Sequence, residues 1–167
     1  MNGRLARTQA LQHVEKQFHE AEIAWQKANA TYAGAAFAKT FRDFPWLQSI
    51  EMQLEPSNEY DDDGHNGRVI SMYFIDAEGV GEIDIRFEQD GQLDVCAFVD
   101  YLSGEWEGEH EAEDLYVCFN PYDWSYDDIR VKASRADIAD LLAQETISGY
   151  EAFIRLFPEY QGNAWLP

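Results

Sequence analysis

The chain has 167 residues, of which 46% are apolar and 14% aromatic, and its formal net charge is −20. Because disordered acidic tails are poor in aromatic residues, this composition excludes such a tail and predicts a folded protein with a buried core. The charge argues against direct binding to nucleic acid or to an anionic membrane and favours basic protein partners. The length predicts a single domain spanning residues 1–167.

The negative charge is concentrated in the middle of the chain. Residues 1–45 hold six basic and four acidic residues, residues 46–128 hold two and 23, and residues 129–167 hold four and five. The corresponding net charges are +2, −21 and −1. One continuous segment therefore produces nearly all of the protein's electric field, and we expect the binding surface to lie within it.

Targeting and redox signals are few. No apolar run follows the early arginines, so we expect no signal peptide, and no stretch approaches the ~20 apolar residues of a membrane span. Cys96 and Cys118 are too few for a disulfide framework. We interpret them as buried free thiols in a reducing cytoplasm; one bridge between neighbouring strands is the alternative.

Residues 5–43 have the apolar periodicity of a long helix. Steps of three and four alternate along a heptad seam that consists of Leu11, Val14, Phe18, Ala21, Trp25, Ala28, Tyr32 and Ala35. A dimerising coiled coil and a helix packed on its own domain both have this spacing. The flanking positions lack a ladder of opposite charges, which favours the second interpretation and leaves a homodimer through residues 11–35 as the alternative. Gly34 predicts a break or bend before a second short helix over residues 35–42.

Residues 46–128 change to the period of two that is typical of strands. Pro45 ends the helical region, because a proline disfavours helix at the residue before it. The alternating pattern then predicts strands over residues 47–54, 68–75, 82–88, 92–101 and 115–119. Short turns such as Gln89-Asp90-Gly91 favour hairpins, so we predict an antiparallel β-meander of four to five strands.

Residues 129–167 return to a helical pattern. Ser134 with Asp137, and Ser148 with Glu151, both fit a capping box, in which the hydroxyl and the carboxylate satisfy N–H groups of the first turn. Each pair precedes apolar residues at helical spacing, so we predict two C-terminal helices. Helical regions at 1–45 and 129–167 around an acidic β-sheet region at 46–128 constitute an α+β fold.

Glutamates alternate along residues 105–113. In an extended chain they would lie about 6.6 Å apart on one face. One DNA strand carries a charge every ~3.4 Å and the duplex one every ~1.7 Å, so imitation of a duplex would need several such rows side by side. Glu82 and Asp84 in the next strand, and the turn at residues 61–63, are candidate neighbours. The alternative is a solvated acidic loop without a partner.

A second acidic segment, residues 120–128, also contains aromatic residues. Tyr122, Trp124 and Tyr126 alternate there with aspartates, and aromatic side chains anchor interfaces and stack on arginine. The alternative is that they are core residues beneath a loop. The candidate partner-binding residues are Asp61, Asp62, Asp63, Glu82, Asp84, Glu105, Trp106, Glu107, Glu109, Glu111, Glu113, Asp114, Asp123, Trp124, Tyr126, Asp127 and Asp128.

Catalytic and metal-binding motifs are weak or lacking in the sequence. Glu59, Asp61, Asp63 and Gly64 fit four positions of a calcium loop, but Ile70 occupies the position that needs a bidentate glutamate. No Cys/His spacing suggests zinc, no glycine-rich loop suggests phosphate binding, and no serine lies in a nucleophile elbow. We expect neither an enzyme, nor a metal site, nor another cofactor.

In charge and size, though in no motif, the chain resembles the DNA mimics, small acidic proteins of phages and mobile elements that block CRISPR effectors or restriction enzymes. The resemblance implies an anti-CRISPR or anti-restriction inhibitor that occupies a basic nucleic-acid channel sterically and electrostatically. An immunity protein or antitoxin that neutralises a basic toxin is the first alternative. A halophilic housekeeping domain is the second, although its acidity should coat the whole surface, and here two flanking regions are near neutral.

Overall fold

A computed structural model describes residues 2–120 and 126–160, and for residues 2–7 it describes the helical backbone alone. These residues form five α-helices and five strands. The elements in chain order are α1 (Asn2–Asp43), β1 (Leu47–Tyr60), β2 (Asn66–Gly79), β3 (Glu88–Gln89), β4 (Gln92–Leu93), α2 (Val95–Glu109), α3 (Ala112–Phe119), β5 (Ile129–Ser134), α4 (Ala139–Leu142) and α5 (Gly149–Leu156). Short 3₁₀ helices cover Ile85–Phe87, Arg135–Ile138 and Pro158–Tyr160.

The main sheet is antiparallel, with the strand order β2-β1-β5. β1 and β2 form one long hairpin, and β5 pairs with the first half of β1, from Ser49 to Leu54. Along β1 the side chains of Ile50, Met52 and Leu54 are buried, whereas residues 57–60 are exposed. The helices α2 and α3 pack mainly against β2, and the end of the hairpin, residues 57–67, is exposed.

The α+β class and the long N-terminal helix are confirmed, but the main sheet has fewer strands than the predicted meander. The prediction of helix throughout 129–167 is also wrong for residues 129–134, which form strand β5. There Ile129, Val131 and Ala133 are buried, and Arg130 and Lys132 are exposed. The alternation was present in the sequence, but it spans only six residues.

Two of the predicted strands are largely helical instead, and a third is mostly irregular. Residues 95–109 form α2 because the Asp94 carboxylate accepts a hydrogen bond from the Ala97 N–H (3.1 Å) and caps a helix. The side chains that α2 buries, Phe98, Leu102 and Trp106, have helical spacing. Residues 112–119 form α3, and residues 82–88 contain only a 3₁₀ turn. A two-residue hairpin, β3–β4, is all that remains of the meander in this region.

The helix α1 passes through Gly34 without a break, so the predicted bend and second helix are wrong. Gly34 instead marks a contact with α5. A Cβ atom on Gly34 would lie 1.9 Å from the carbonyl oxygen of Gly149, and one on Gly149 would lie 2.1 Å from that of Thr31. Only residues without a side chain allow the two backbones to approach this closely.

The second half of α1 packs on the domain, but not through the heptad seam. The side chains that it buries are those of Gln26, Ala30, Ala33, Phe37 and Phe41. In the first half of α1, all residues from 8 to 22 are exposed, so this part of the helix is an arm that extends away from the body of the protein. The interpretation of a helix packed on its own domain therefore holds for the second half of α1, although through a face other than the seam, and it is wrong for the exposed residues 8–22.

The core is rich in aromatic side chains that meet edge to face. Phe37 and Phe74 pack against Trp106, with ring centroids 4.9 and 5.1 Å away, and the buried Trp106 indole N–H donates to Thr40 Oγ1 (3.2 Å). The Ser148 cap is confirmed, since its hydroxyl accepts from the Glu151 N–H (3.2 Å), but the Glu151 carboxylate binds Arg155 (2.7 Å), so only this half of the predicted capping box is seen. Ser134 makes no side-chain capping bond. Within the described part of the chain, no helix combines the length and the apolar character needed to cross a membrane.

Candidate protein-binding surfaces

The end of the β1–β2 hairpin is a projection that we call the acidic finger, Ser57–Gly67. All of its residues are exposed. At its tip the Asp61 carboxylate accepts hydrogen bonds from the N–H groups of Asp63 (3.0 Å) and His65 (2.7 Å), and Gly64 adopts a positive φ of 78°. Asp61 therefore holds the turn in place, and the carboxylates of Asp62 and Asp63 point into solvent.

The partial calcium-loop match falls on this tip, but the fold is a hairpin turn and Ile70 is buried in β2. Potential ligand atoms of Asp61, Asp63 and His65 lie within 4.8 Å of one another. The hydrogen bonds within the turn, including the contact of 3.1 Å between His65 Nδ1 and Asp61 Oδ2, account for this closeness. We therefore assign no metal site here.

Two further segments approach the base of the finger. Glu113, in the first turn of α3, forms an ion pair with Arg68 of β2. The Tyr116 hydroxyl donates to the carbonyl oxygen of Asp127 (3.0 Å), and the Tyr126 hydroxyl donates to Asn58 Oδ1 (2.9 Å). The finger, α3 and residues 126–128 are thus fastened to one another. We call the resulting patch the distal acidic surface; it comprises Glu59, Asp61, Asp62, Asp63, Glu113, Asp114, Tyr126, Asp127 and Asp128.

Cations elsewhere in the described chain do not neutralise this surface, because each has its own partner. Lys and Arg side chains from residue 16 onward bind carboxylates, carbonyl oxygens or aromatic rings. Arg135, for example, donates to the carbonyl oxygens of Leu47 (2.6 Å) and Phe44 (2.9 Å). Asp62, Asp63 and Asp128 form no ion pair with Lys or Arg among the residues that the structure describes.

The predicted row of alternating glutamates at 105–113 does not exist, because the segment is helical. In α2, Glu105 and Glu109 share one side of the helix, and Glu107 lies on another. Glu111 lies in the connection to α3. Trp106, predicted as an interface anchor, is buried in the core at 3% exposure. The row therefore divides into separate groups of carboxylates.

Glu105 and Glu109 instead line a cleft of about 70 Å³ between α1 and α2. On the α1 side, Lys39 Nζ lies 2.5 Å from Asp43 Oδ2, and this hydrogen bond is the main reason that the pKa of Lys39 is raised. We call the cleft, with Lys39, Asp43, Glu105, Glu109 and His110, the α1–α2 cleft. Its three carboxylates outnumber its one lysine, so it suits a second cationic group.

His110 connects the cleft to the exposed face of α1. Its Nδ1 lies 2.8 Å from the Tyr32 hydroxyl, which also contacts the carbonyl oxygen of Glu109 (3.1 Å). Burial lowers the pKa of His110. The sequence analysis named Glu109 as a partner-binding candidate but not Lys39, Tyr32 or His110. Their proximity depends on how α1 and α2 cross.

Glu82 and Asp84 lie at the other end of the sheet, beyond the end of β2 at Gly79. Asp84 caps the 3₁₀ turn and forms an ion pair with Arg86 (2.7 Å), and this partner lowers the pKa of Asp84. Eleven residues of β2 separate Gly79 from Arg68, or about 36 Å at ~3.3 Å per residue. These two acids therefore do not join the distal acidic surface.

The set of predicted partner-binding residues differs from the surface of the structure in two further ways. Asp123 and Trp124 lie outside the described residues. Exposed residues that the sequence analysis did not select include Tyr60 at the edge of the acidic finger, with 74% exposure. A single tyrosine beside acidic residues in a strand was the only signal in the sequence that could have identified it.

Comparison of the chain with protein-family models, with curated proteins and with solved structures found no match in any of the three.

Proposed function

We propose that the protein is an acidic, DNA-mimic-like inhibitor that binds a basic nucleic-acid-binding protein through its distal acidic surface. The target class is a CRISPR effector, a restriction enzyme or a similar defence complex. The protein would act in the cytoplasm of the host cell as a phage or mobile-element factor. Inhibition would result from steric and electrostatic occupation of a basic channel, without catalysis.

One observation carries this proposal: three elements that bear carboxylates are joined to one another at the base of the acidic finger. The acidic finger, the start of α3 and residues 126–128 are joined by contacts between named side chains. The local cation, Arg68, is already paired with Glu113. A surface with this excess of carboxylates attracts basic proteins and repels polyanions.

The shape and spacing of the finger also suit a nucleic-acid channel. Within the finger, residues 57–60 of β1 extend about 13 Å at ~3.3 Å per residue, so the tip can enter a groove that the body cannot. Asp61, Asp62 and Asp63 are consecutive, and neighbouring residues lie at most ~3.6 Å apart along the chain, close to the ~3.4 Å charge spacing of one DNA strand. The tip thus resembles a short piece of one strand rather than a duplex.

The exposed tyrosines supply contacts that charge alone does not. Tyr60 is 74% exposed and Tyr126 is 51% exposed, and both lie on or beside the acidic finger. Tyrosine is enriched at interface centres and stacks on arginine guanidinium groups, which are abundant in nucleic-acid channels. A target surface rich in arginine therefore complements both features of this patch.

The test is capture of proteins from a bacterial lysate on the immobilised protein at about 50 mM salt, where charges up to ~14 Å apart still interact. We expect a nucleic-acid-binding protein to be retained, to elute as salt rises and to be displaced by added duplex DNA. Asp62→Lys with Asp63→Lys should abolish this retention, because the tip would then repel the target.

The matched control is Glu145→Lys with Glu159→Lys, which makes the same change in net charge at exposed positions outside the distal acidic surface. This variant should retain the target. Equal loss in both variants, or retention that neither DNA nor ~0.5 M salt reverses, would refute the proposal. Capture of one nuclease toxin encoded beside the gene would support the immunity-protein alternative instead.

A further inference from the structure

We propose that two copies of the chain pair through the exposed arm of α1 as an antiparallel coiled coil. In this dimer Leu11, Phe18, Trp25 and Tyr32 of one copy face Ala35, Ala28, Ala21 and Val14 of the other. The inference is independent of the proposed function, since none of these residues belongs to the distal acidic surface.

The first observation is that the protein's own domain leaves the seam exposed along the arm and covers it only in part near Tyr32, which contacts Glu109 and His110. Leu11, Val14 and Phe18 are 59%, 60% and 72% exposed, and Trp25 and Tyr32 are each 49% exposed. They recur at coiled-coil spacing over 25 residues. An isolated helix has marginal stability in water, because most helical stability in proteins comes from packing of an apolar face. A partner along the arm would provide this packing.

The sizes of the seam residues select the second copy as that partner and select its direction. If Leu11 is position a of the heptad, then the a positions are Leu11, Phe18, Trp25 and Tyr32, and the d positions are Val14, Ala21, Ala28 and Ala35. Every a residue is larger than every d residue. A helix with one large and one small seam residue per heptad packs closely against a partner helix only if each large residue faces a small residue of the partner.

Antiparallel pairing of two copies provides this reverse order, because each a residue then meets a d residue. In the stated register the numbers of facing residues add to 46, so Phe18 meets Ala28 and Trp25 meets Ala21. All eight layers therefore combine a larger and a smaller side chain, as close packing requires. A parallel pair would place Trp25 against Trp25 and Ala28 against Ala28, which alternates crowded layers with voids.

Electrostatics favour the same direction. Residues 1–45 have a net charge of +2 and the remainder of the chain −22. A parallel pair would bring two acidic bodies side by side. In the antiparallel pair, the packed half of α1 in one copy is centred near its residue 35. The packed half of the other copy lies level with residue 11 of the first, so the two centres are about 36 Å apart at ~1.5 Å per residue. This distance exceeds the ~10 Å range of charge interactions at moderate salt.

The α1–α2 cleft lies where the second arm would end. Its carboxylates, Asp43, Glu105 and Glu109, flank the continuation of the seam beyond Ala35. Residues 1–14 carry Arg4, Arg7 and no acidic residue, and the antiparallel register brings this end of the second copy to the level of residues 39–42. Lys39 is already paired with Asp43, so Glu105 and Glu109 remain to attract the second copy's basic end.

The area is sufficient for a dimer. Five large seam side chains that are half exposed or more offer on the order of 100 Å² each, or about 1,000 Å² over two copies before the alanines and flanking residues are added. Stable protein interfaces begin at about 1,200 Å² in total.

The first test is the mass of the full chain in solution by sedimentation equilibrium. We expect about twice the chain mass of 19.2 kDa at micromolar concentrations. Ala21→Glu with Ala28→Glu should halve the mass, because it places charge at the centre of the seam. Gln12→Glu with His19→Glu makes the same charge change on the outer face of the same helix and should leave the dimer intact.

Circular dichroism melting of each variant establishes that the domain remains folded, since positions 12, 19, 21 and 28 are all exposed. A folded chain that has the mass of one copy at every concentration up to about 100 µM, two orders of magnitude above a micromolar Kd, overturns the dimer. Loss of the dimer in the outer-face control as well would overturn its assignment to the seam.

The second test is direction, in a Cys96→Ser background and with a short bismaleimide crosslinker. Leu11→Cys and Ala35→Cys variants should crosslink to each other when mixed and should not crosslink when alone. Crosslinking of either variant with itself, without the mixed product, would show a parallel pair and overturn the proposed register. Retention of a DNA-displaceable target by a monomeric variant would show that target binding does not depend on the dimer.

Discussion

At the scale of single residues, backbone proximity explains the two glycines where α1 crosses α5. Gly34 and Gly149 each contact the other helix through main-chain atoms, so any side chain would displace a whole helix. Glycine is unfavourable inside a helix by about 1 kcal/mol relative to alanine, and at Gly34 the close contact outweighs that cost.

We therefore predict that Gly34→Ala lowers the free energy of unfolding by about 1–3 kcal/mol, through overpacking against Gly149 and Phe153. Urea unfolding monitored by tryptophan fluorescence would measure the change. The control is Gly104→Ala in α2, where a Cβ atom would meet nothing within 4 Å. That substitution should raise stability by about 0.5–1 kcal/mol, so equal effects of the two substitutions would contradict the explanation.

The two cysteines differ in reactivity. Both are free, and Cys118 in α3 is buried as predicted, but Cys96 is exposed at the start of α2, so the prediction of a buried thiol is wrong there. Burial raises the pKa of the Cys118 thiol to about 12, so it remains protonated and unreactive near neutral pH. We predict that a thiol reagent labels one cysteine per native chain and two after denaturation. Cys96→Ser should leave the native protein unlabelled, and rapid labelling of that variant would argue against a buried Cys118.

At the scale of elements, helices and strands with a long apolar period could be predicted from the sequence, and those with a short period or none could not. The helix α1 extends over 42 residues and the hairpin strands β1 and β2 over 14 each. The sequence analysis identified all three elements, but it predicted a break in the helix at Gly34 and only residues 47–54 and 68–75 of the strands. Between residues 92 and 101, apolar residues occur at both helical and strand spacing, and the Asp94 cap decides for the helix. Residues 115–119 are all apolar and therefore have no period at all.

For the acidic finger, we predict that it can be removed without loss of the fold. Replacing residues 59–67 by Asn-Gly joins the paired residues Asn58 and Arg68 through a two-residue turn. Since the deleted residues are exposed, the melting temperature should change by less than about 3 °C, which is about 1 kcal/mol for a domain of this size. Retention of the DNA-displaceable target should fall at least tenfold. A large loss of stability would mean that the finger supports the body.

At the scale of the whole molecule, charge and shape are distributed unequally. A body with most of the acidic residues carries two projections of different character, the acidic finger and the nearly neutral, apolar-seamed arm of α1. The finger is the projection that we propose to bind a basic target, and the arm is the one that we propose to pair with a second copy. The two projections share no residue, so the proposed target and the proposed second copy would not compete for one surface.

The net charge of −20 predicts that salt stabilises the native state. The screening length falls from about 30 Å at 0.01 M to about 8 Å at 0.15 M, so the repulsion between carboxylates weakens and the melting temperature should rise over this range. A variant with Asp62→Asn, Asp63→Asn and Glu107→Gln should show a smaller rise. If the chain were unfolded below molar salt, the halophilic interpretation would gain support at the expense of the proposed inhibitor.

The sequence by itself determined the net charge, its concentration in residues 46–128, the long helix and the hairpin. Charge depends only on composition, and long periodic patterns outweigh the local ambiguity of each residue. Only the tertiary structure decided which carboxylates meet. Asp62, Glu113 and Asp127 are distant in sequence and are brought together by contacts of Arg68, Tyr116 and Asn58, whereas the glutamates of 105–113 are neighbours in sequence and are separated by the turns of a helix. The seam of α1 was visible in the sequence, but its exposure depended on which face of the helix the rest of the protein covered.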